Sequence, residues 1–257
     1  MKAGELFDLT GQVALVTGAS SGLGAHFAQV LAANGAAVVL VARRAERLAE
    51  VKMLIDYAGG RALAVEADVL DRHAMTSAFD MTEQAFGPVT ILVNNAGVAH
   101  AGRAVDLPEE EWRRVVSTNL DAVFFWAQEA ARRMLAAGKG GAIINIASIL
   151  GFGAAKGVAA YAAAKAGVVH LTKALAVELA FKGVRVNAIA PGYIATEINR
   201  DYLAGEGAKM TRAIPAGRFG EPRDLDGALL LLASDAGRYI AGETIIVDGG
   251  HLAALAG

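Results

Sequence analysis

A short apolar run that passes straight into a turn of glycines and serines constrains this chain more than any other feature. Gln12-Val13-Ala14-Leu15-Val16 leads into Thr17-Gly18-Ala19-Ser20-Ser21-Gly22-Leu23-Gly24, and apolar residues at helical spacing follow at Phe27, Val30 and Leu31. Strand, glycine-rich turn and helix make an anion cradle. Glycines let the backbone approach a phosphate, and the helix N-terminus offers unpaired N–H groups at the positive end of its dipole. Ser20 and Ser21 add hydroxyls. A plain tight turn has no need of three glycines and two serines in eight residues.

The same alternation continues along the chain. Apolar runs at 36–41, 62–69, 91–93, 142–147, 184–190 and 243–247 read as strands, and amphipathic stretches lie between them. Helices are expected at about 72–86, 109–137, 157–182 and 224–232. Asn34-Gly35 and Gly87-Pro88 supply stop signals. This pattern predicts an α/β chain with a Rossmann-type, doubly wound parallel sheet and helices on both faces, in one domain over residues 1–257. No internal repeat or linker interrupts it. At about 194–219 the periodicity weakens among Gly205, Gly207, Pro215 and Gly217, which predicts a substrate lid.

Hydrophobic residues make up 54% of the chain and mean hydropathy is +0.40. Alanine and glycine supply much of that, and charged residues break every long apolar run, so no transmembrane helix is expected. Residues 1–10 carry acids and no apolar core, so no export signal is expected either, and the cytoplasm is the default. There are no cysteines. The five histidines at 26, 73, 100, 170 and 251 are dispersed without ligand spacing, so no metal is expected. His100 reads as a solvent-facing loop residue. A net charge of -2 gives no reason to expect nucleic acid.

The chemistry gathers at strand ends. Folds that take NAD usually place an acid about 20 residues beyond the glycines, to hold the ribose 2′-OH. Here Ala42 stands there, followed by Arg43 and Arg44. An acid would repel a 2′-phosphate, whereas a guanidinium grips one, so the sequence favours NADP(H) over NAD(H). Asp68 ends the third strand, where it would accept from an adenine amino group or cap the next helix. Tyr161 and Lys165 stand four apart, one helical turn, and so share a face. An ammonium beside a phenol favours the phenolate, so the tyrosine's pKa is expected to fall and the phenol to trade protons with a carbonyl or alcohol oxygen. Ser148, at the end of the 142–147 strand, offers a hydroxyl to the same oxygen. Asn119, mid-helix among apolar neighbours, reads as a satisfied core amide or as one that orders water or the lysine.

Together these residues resemble the short-chain dehydrogenase/reductase family over nearly the whole chain. Residues 17–24 match the family's cofactor turn, Asp68 its adenine-binding acid, Asn94-Asn95-Ala96-Gly97 its sheet-stabilising motif, and Pro191-Gly192 its turn near the nicotinamide. Asn119, Ser148, Tyr161 and Lys165 fall where the family carries its catalytic tetrad. The resemblance implies cofactor contacts from Gly18, Ser20, Ser21, Leu23, Gly24, Arg43, Arg44, Asp68, Val69, Asn95, Ala96, Gly97, Tyr161, Lys165, Pro191, Gly192, Ile194 and Thr196. It implies hydride transfer between nicotinamide and a carbonyl or secondary alcohol, and a homotetramer packed through the helices at 109–137 and 157–182. Ketone and 3-oxoacyl thioester reduction, a sugar or polyol dehydrogenase, and a non-catalytic NADP-binding redox sensor are the readings to separate. The expected substrate wall is Ile149, Leu150, Ala155, Val158, Tyr193 and Tyr202. These residues are mostly apolar, which leans toward a hydrophobic ketone.

Overall fold

The computed structural model describes residues 2–195 and 211–254. Its sheet has seven parallel strands in the order β3-β2-β1-β4-β5-β6-β7. The strands are β1 Val13–Thr17, β2 Ala37–Ala42, β3 Arg61–Glu66, β4 Ile91–Asn94, β5 Gly141–Ile146, β6 Val184–Pro191 and β7 Thr244–Val247. The helices are α1 Ala3–Leu6, α2 Gly22–Ala33, α3 Ala45–Tyr57, α4 Arg72–Phe86, α5 Glu109–Val116, α6 Ala122–Ala136, α7 Ala159–Leu179 and α8 Asp226–Ala233.

Helices cover both faces of the sheet, which is why its central strands are apolar without alternation. Ala14, Val16, Val38 and Leu40 pack on α2, α3 and α8 through Phe27, Leu31, Leu48, Ile55 and Leu229. Leu15, Val39 and Val41, from the intervening positions, pack on α4 and α6 through Phe79, Trp126 and Met134. The two sets alternate along each strand, as the pleat requires.

Two boundaries differ from the sequence expectation. The helix at 109–137 is interrupted by a π-turn at Ser117–Asp121, centred on Asn119. The cap of α4 is Asp71, whose side chain accepts from the backbone of His73 and Ala74; Asp68 does not cap it. Asp68 is left facing the carboxyl edge of the sheet, where its Oδ1 accepts from Leu70 N.

An ion-pair cluster clamps α6 to α4. Arg133 pairs with Glu129 at 2.7 Å, Asp80 at 2.8 Å and Glu83 at 3.2 Å, and its guanidinium lies 5.2 Å from the Phe79 ring centre. Its side chain is 16% exposed, so truncation leaves shielded Glu129 with only a long 3.9 Å contact to Arg132. Arg133→Ala is expected to lower unfolding free energy by about 2 kcal/mol. Urea melts check this, and Arg133→Lys should recover part of the loss.

Candidate active site

Strand order reverses direction at β1, which has β2 on one side and β4 on the other, so the loops leaving their carboxyl ends diverge and open a crevice. The cleft there holds about 730 Å³. One end is built by the β1–α2 turn. Gly18 and Gly22 hold left-handed φ values of +67° and +55°. A Cβ on Gly18 would sit 2.9 Å from Ala96 Cα. Asn95 ties this turn to β4: its Nδ2 donates to the carbonyls of Thr17 and Gly18, and its N–H donates to Thr17 Oγ1. Above the turn, the Arg44 guanidinium donates to Ser20 Oγ at 2.9 Å and to Ser21 Oγ at 2.6 Å. Arg43 is looser, 73% exposed and 3.7 Å from Asp68.

The other end is built by β5 and α7. Ser148 is buried; its Oγ accepts from Leu150 N at 3.1 Å, and it stands near enough to the Tyr161 phenol to favour its ionised form. Lys165 is 4% exposed, donates from Nζ to Ile146 O at 2.7 Å, and lies 5.6 Å from the Tyr161 ring centre. The expected fall in the tyrosine's pKa does not occur in this structure. Burial pushes the phenol up, and only neighbouring Ser148 opposes it. The reason is geometric: the ammonium sits against the ring and is held by Ile146, with no bond to the phenol oxygen.

Burial also pushes Lys165 down to about 8. The folded value then lies below the unfolded one. Between pH 8 and 10.5 the unfolded chain keeps a proton that the folded chain has released, so stability rises with pH across that window and the full penalty persists below it. Lys165→Met should therefore raise the unfolding free energy of the cofactor-free protein at pH 7 by up to about 3 kcal/mol, seen as a higher Tm. The advantage should shrink as melts are repeated toward pH 10.

Asn119 is fully buried in the π-turn. Its Nδ2 donates to Val98 O at 2.7 Å and Val115 O at 2.8 Å. The amide nitrogen is thus spent on holding the β4 loop to the helix, and does not reach the lysine. Among the described residues its buried Oδ1 has no hydrogen-bond partner, and a Cβ on Gly97 would sit 2.6 Å from it. A chain of buried amides runs beneath the cleft: Asn94 Nδ2 donates to Asn145 Oδ1, and Asn145 Nδ2 donates to Thr172 Oγ1, each at 3.0 Å. This chain locks β4, β5 and α7, the elements that carry Ala96, Ser148 and Tyr161.

All four expected tetrad residues line the cleft. So does each expected cofactor contact that is described, with Gly24 as the exception. Gly24 is buried in α2, where a Cβ would meet Gly18 O at 2.3 Å, so its place is helix–turn packing. Thr196 and Tyr202 lie outside the described residues. Of the expected substrate wall, Tyr193 lines the cleft; Ile149 is buried in a 3-10 turn behind Ser148, Leu150 and Val158 are half-buried, and Ala155 is exposed. Sequence reading missed Val98, Ala99, Arg114 and Thr118, which also line it. Arg114 pairs with Glu111 at 2.6 Å, and Glu111 in turn meets His100 Nδ1 at 3.0 Å, so His100 is a paired residue. No sequence pattern marks Arg114, because α5 is charged along most of its length. Among the described residues there is no cluster that could hold a metal, and no helix is long and apolar enough to cross a membrane.

An anion cradle and a Ser–Tyr–Lys group in one crevice of a parallel sheet define a nucleotide-dependent oxidoreductase. The chain belongs to the short-chain dehydrogenase/reductase family: residues 18–251 match the model described as enoyl-(acyl carrier protein) reductase. It is 41% identical to 2-dehydro-3-deoxy-D-gluconate 5-dehydrogenase of Escherichia coli (strain K12), over 96% of this chain and 98% of that one. It is 39% identical to the 3-oxoacyl-[acyl-carrier-protein] reductase of the same organism, over 93% and 97%. A gluconate 5-dehydrogenase from Burkholderia cenocepacia J2315, solved with NADP and tartrate, superposes with a TM-score of 0.94 at 37% identity, covering 99% and 100%.

Proposed function

We propose that this protein interconverts a ketone and the matching secondary alcohol with NADP(H) as its preferred cofactor. The observation that carries this reading is the neighbouring Ser148 and Tyr161 with Lys165 behind them, sharing a cleft with the Ser20–Ser21–Arg44 cradle. Ser148 follows β5, the two serines follow β1 and Arg44 follows β2, two and three strand positions away, so about 10–14 Å separates the groups. A dinucleotide spans such a gap, and the glycine cradle fits its pyrophosphate. The bound nicotinamide supplies or accepts hydride. Ser148 and Tyr161 together hold the substrate oxygen, and Tyr161 gives it a proton in reduction and takes one in oxidation. Lys165 stabilises the resulting phenolate and, as the family implies, would hold the nicotinamide ribose.

For the 2′-phosphate, Arg44 is the stronger candidate of the two arginines. Each serine hydroxyl accepts from its guanidinium, which turns the O–H donors away from the cation and toward an arriving anion. Arg44→Ala should weaken NADPH binding at least tenfold while leaving NADH binding within about twofold. Arg43→Ala should have the smaller effect. Fluorescence titration of both cofactors tests this.

For substrate, we favour a hydroxylated keto acid over the hydrophobic ketone that the sequence suggested. The apolar wall expected from sequence contributes only Tyr193 to the described cleft, whereas Arg114 lines it. Relatives that act on gluconate-type acids support the same class. Initial rates of NADPH oxidation against a polyhydroxylated keto acid, an alicyclic ketone and an acetoacetyl thioester decide the matter, and the keto acid should be fastest. NADPH binding with no turnover in either direction would favour the redox-sensor reading instead.

We also propose a homotetramer. The exposed face of α7 carries Ala163, Ala166 and Val177, and Phe181 follows just beyond it; the last two are 83% and 82% exposed. Light scattering should give four times the 26.4 kDa chain mass.

A further inference from the structure

The turn at 248–252 lies between the two segments that flank the reactive end of the cleft. On one side Asp248 rests against Gly192, where an added Cβ would sit 2.7 Å from Asp248 Cβ, and Gly192 N donates to Val247 O. On the other side, Leu252 Cδ2 lies 3.4 Å from where a Cβ on Gly153 would stand, on the loop that follows Ser148. The turn is rigid. Asp248 accepts from Gly250 N at 2.8 Å and Leu252 N at 2.7 Å, and Gly249 O accepts from Ala216 N at 3.0 Å. His251 stands on it with its ring 5.5 Å from that of Tyr193, which lines the cleft. Among the described residues the imidazole's Nδ1 has no hydrogen-bond partner, and it is shielded from solvent. A buried polar nitrogen without a partner is destabilising, so a ligand that supplies one is favoured there.

We propose that His251 is a substrate-specificity residue whose Nδ1 hydrogen-bonds a hydroxyl of the substrate beside Tyr193. A hydroxyl both donates and accepts, so it satisfies either imidazole tautomer. The inference rests on the proposed carbonyl–alcohol chemistry and narrows its substrate to polyhydroxylated chains.

The test compares His251→Phe and His251→Asn with wild type. The substrates are 5-keto-D-gluconate and 4-oxocyclohexanecarboxylate, a keto acid that lacks hydroxyls. Gluconate binding to the enzyme–NADPH complex, a pairing that has no hydride to exchange, is measured by calorimetry as a readout that needs no turnover. His251→Phe should raise the KM for 5-keto-D-gluconate, and weaken gluconate binding, about tenfold. Its KM for the hydroxyl-free acid, its NADPH affinity and its Tm should stay within about twofold or a degree or two of wild type. His251→Asn should recover part of the loss. Equal effects on both substrates, or none, would overturn the assignment. Wild-type binding of gluconate that depends on His251, without turnover of any carbonyl, would support His251 and defeat the reductase reading. No binding and no turnover would defeat both.

Discussion

Tyr161→Phe should lose turnover by about a hundred- to ten-thousandfold while its NADPH dissociation constant stays within twofold. The phenol oxygen is the group beside Ser148, and the phenylalanine ring fills the same space beside Lys165, so only the proton and its oxygen are lost. The raised pKa of the phenol in the cofactor-free protein sharpens the expectation. At neutral pH this tyrosine is protonated, as an acid for carbonyl reduction should be, and oxidation should improve as pH rises. Steady-state kinetics of both directions across pH 6–10, with cofactor titrations alongside, check the whole statement. Retained turnover in the phenylalanine variant would remove Tyr161 from the chemistry.

Gly24→Ala should be nearly as damaging by a different route. The added methyl would lie 2.3 Å from Gly18 O and 2.4 Å from Asn95 Nδ2. Neither neighbour is free to yield: Gly18 sits in a left-handed turn, and Asn95 is bonded to Thr17 and Gly18. The start of α2 must then lift away from the turn, which spoils the phosphate cradle. We expect NADPH affinity to drop about a hundredfold and stability by about 3 kcal/mol. Gly59→Ala, with open space around its Cβ position but a positive φ of 83°, serves as the control for backbone strain alone. It should spare cofactor binding, as read by calorimetry and thermal melts.

The sheet was legible in the sequence because strands covered on both faces are apolar throughout, and the glycine and amide clusters marked their carboxyl ends. Each strand was located within a residue or two at its start. The π-turn at Ser117–Asp121 was not legible, since its residues also suit an ordinary helix. The tetrad was legible from spacing and family likeness, but its electrostatics were not. Whether the Lys165 ammonium meets the phenol oxygen or the ring depends on the position of Ile146 O, which no spacing encodes. The substrate wall was the poorest reading. Ile149 is apolar because it is core, and nothing in its neighbourhood distinguishes that from lining a pocket. Arg114 and His251 were obscure for a different reason, since each becomes notable only through where the fold places it: Arg114 on the cleft and His251 beside Tyr193.

The β1–β4 pairing has a consequence for how activity appears. Ala14 lies beside Ile91, with 76 residues of chain between them, and the cleft straddles that seam. Loop closure of this length is slow relative to the β1–β2 and β2–β3 crossovers. A refolding chain would regain helix content early and nucleotide binding only when the seam closes. Turnover would return last, once Ser148 and Tyr161 are docked on the far side of β4, so the time course of recovered activity reads out the final zipping of the sheet.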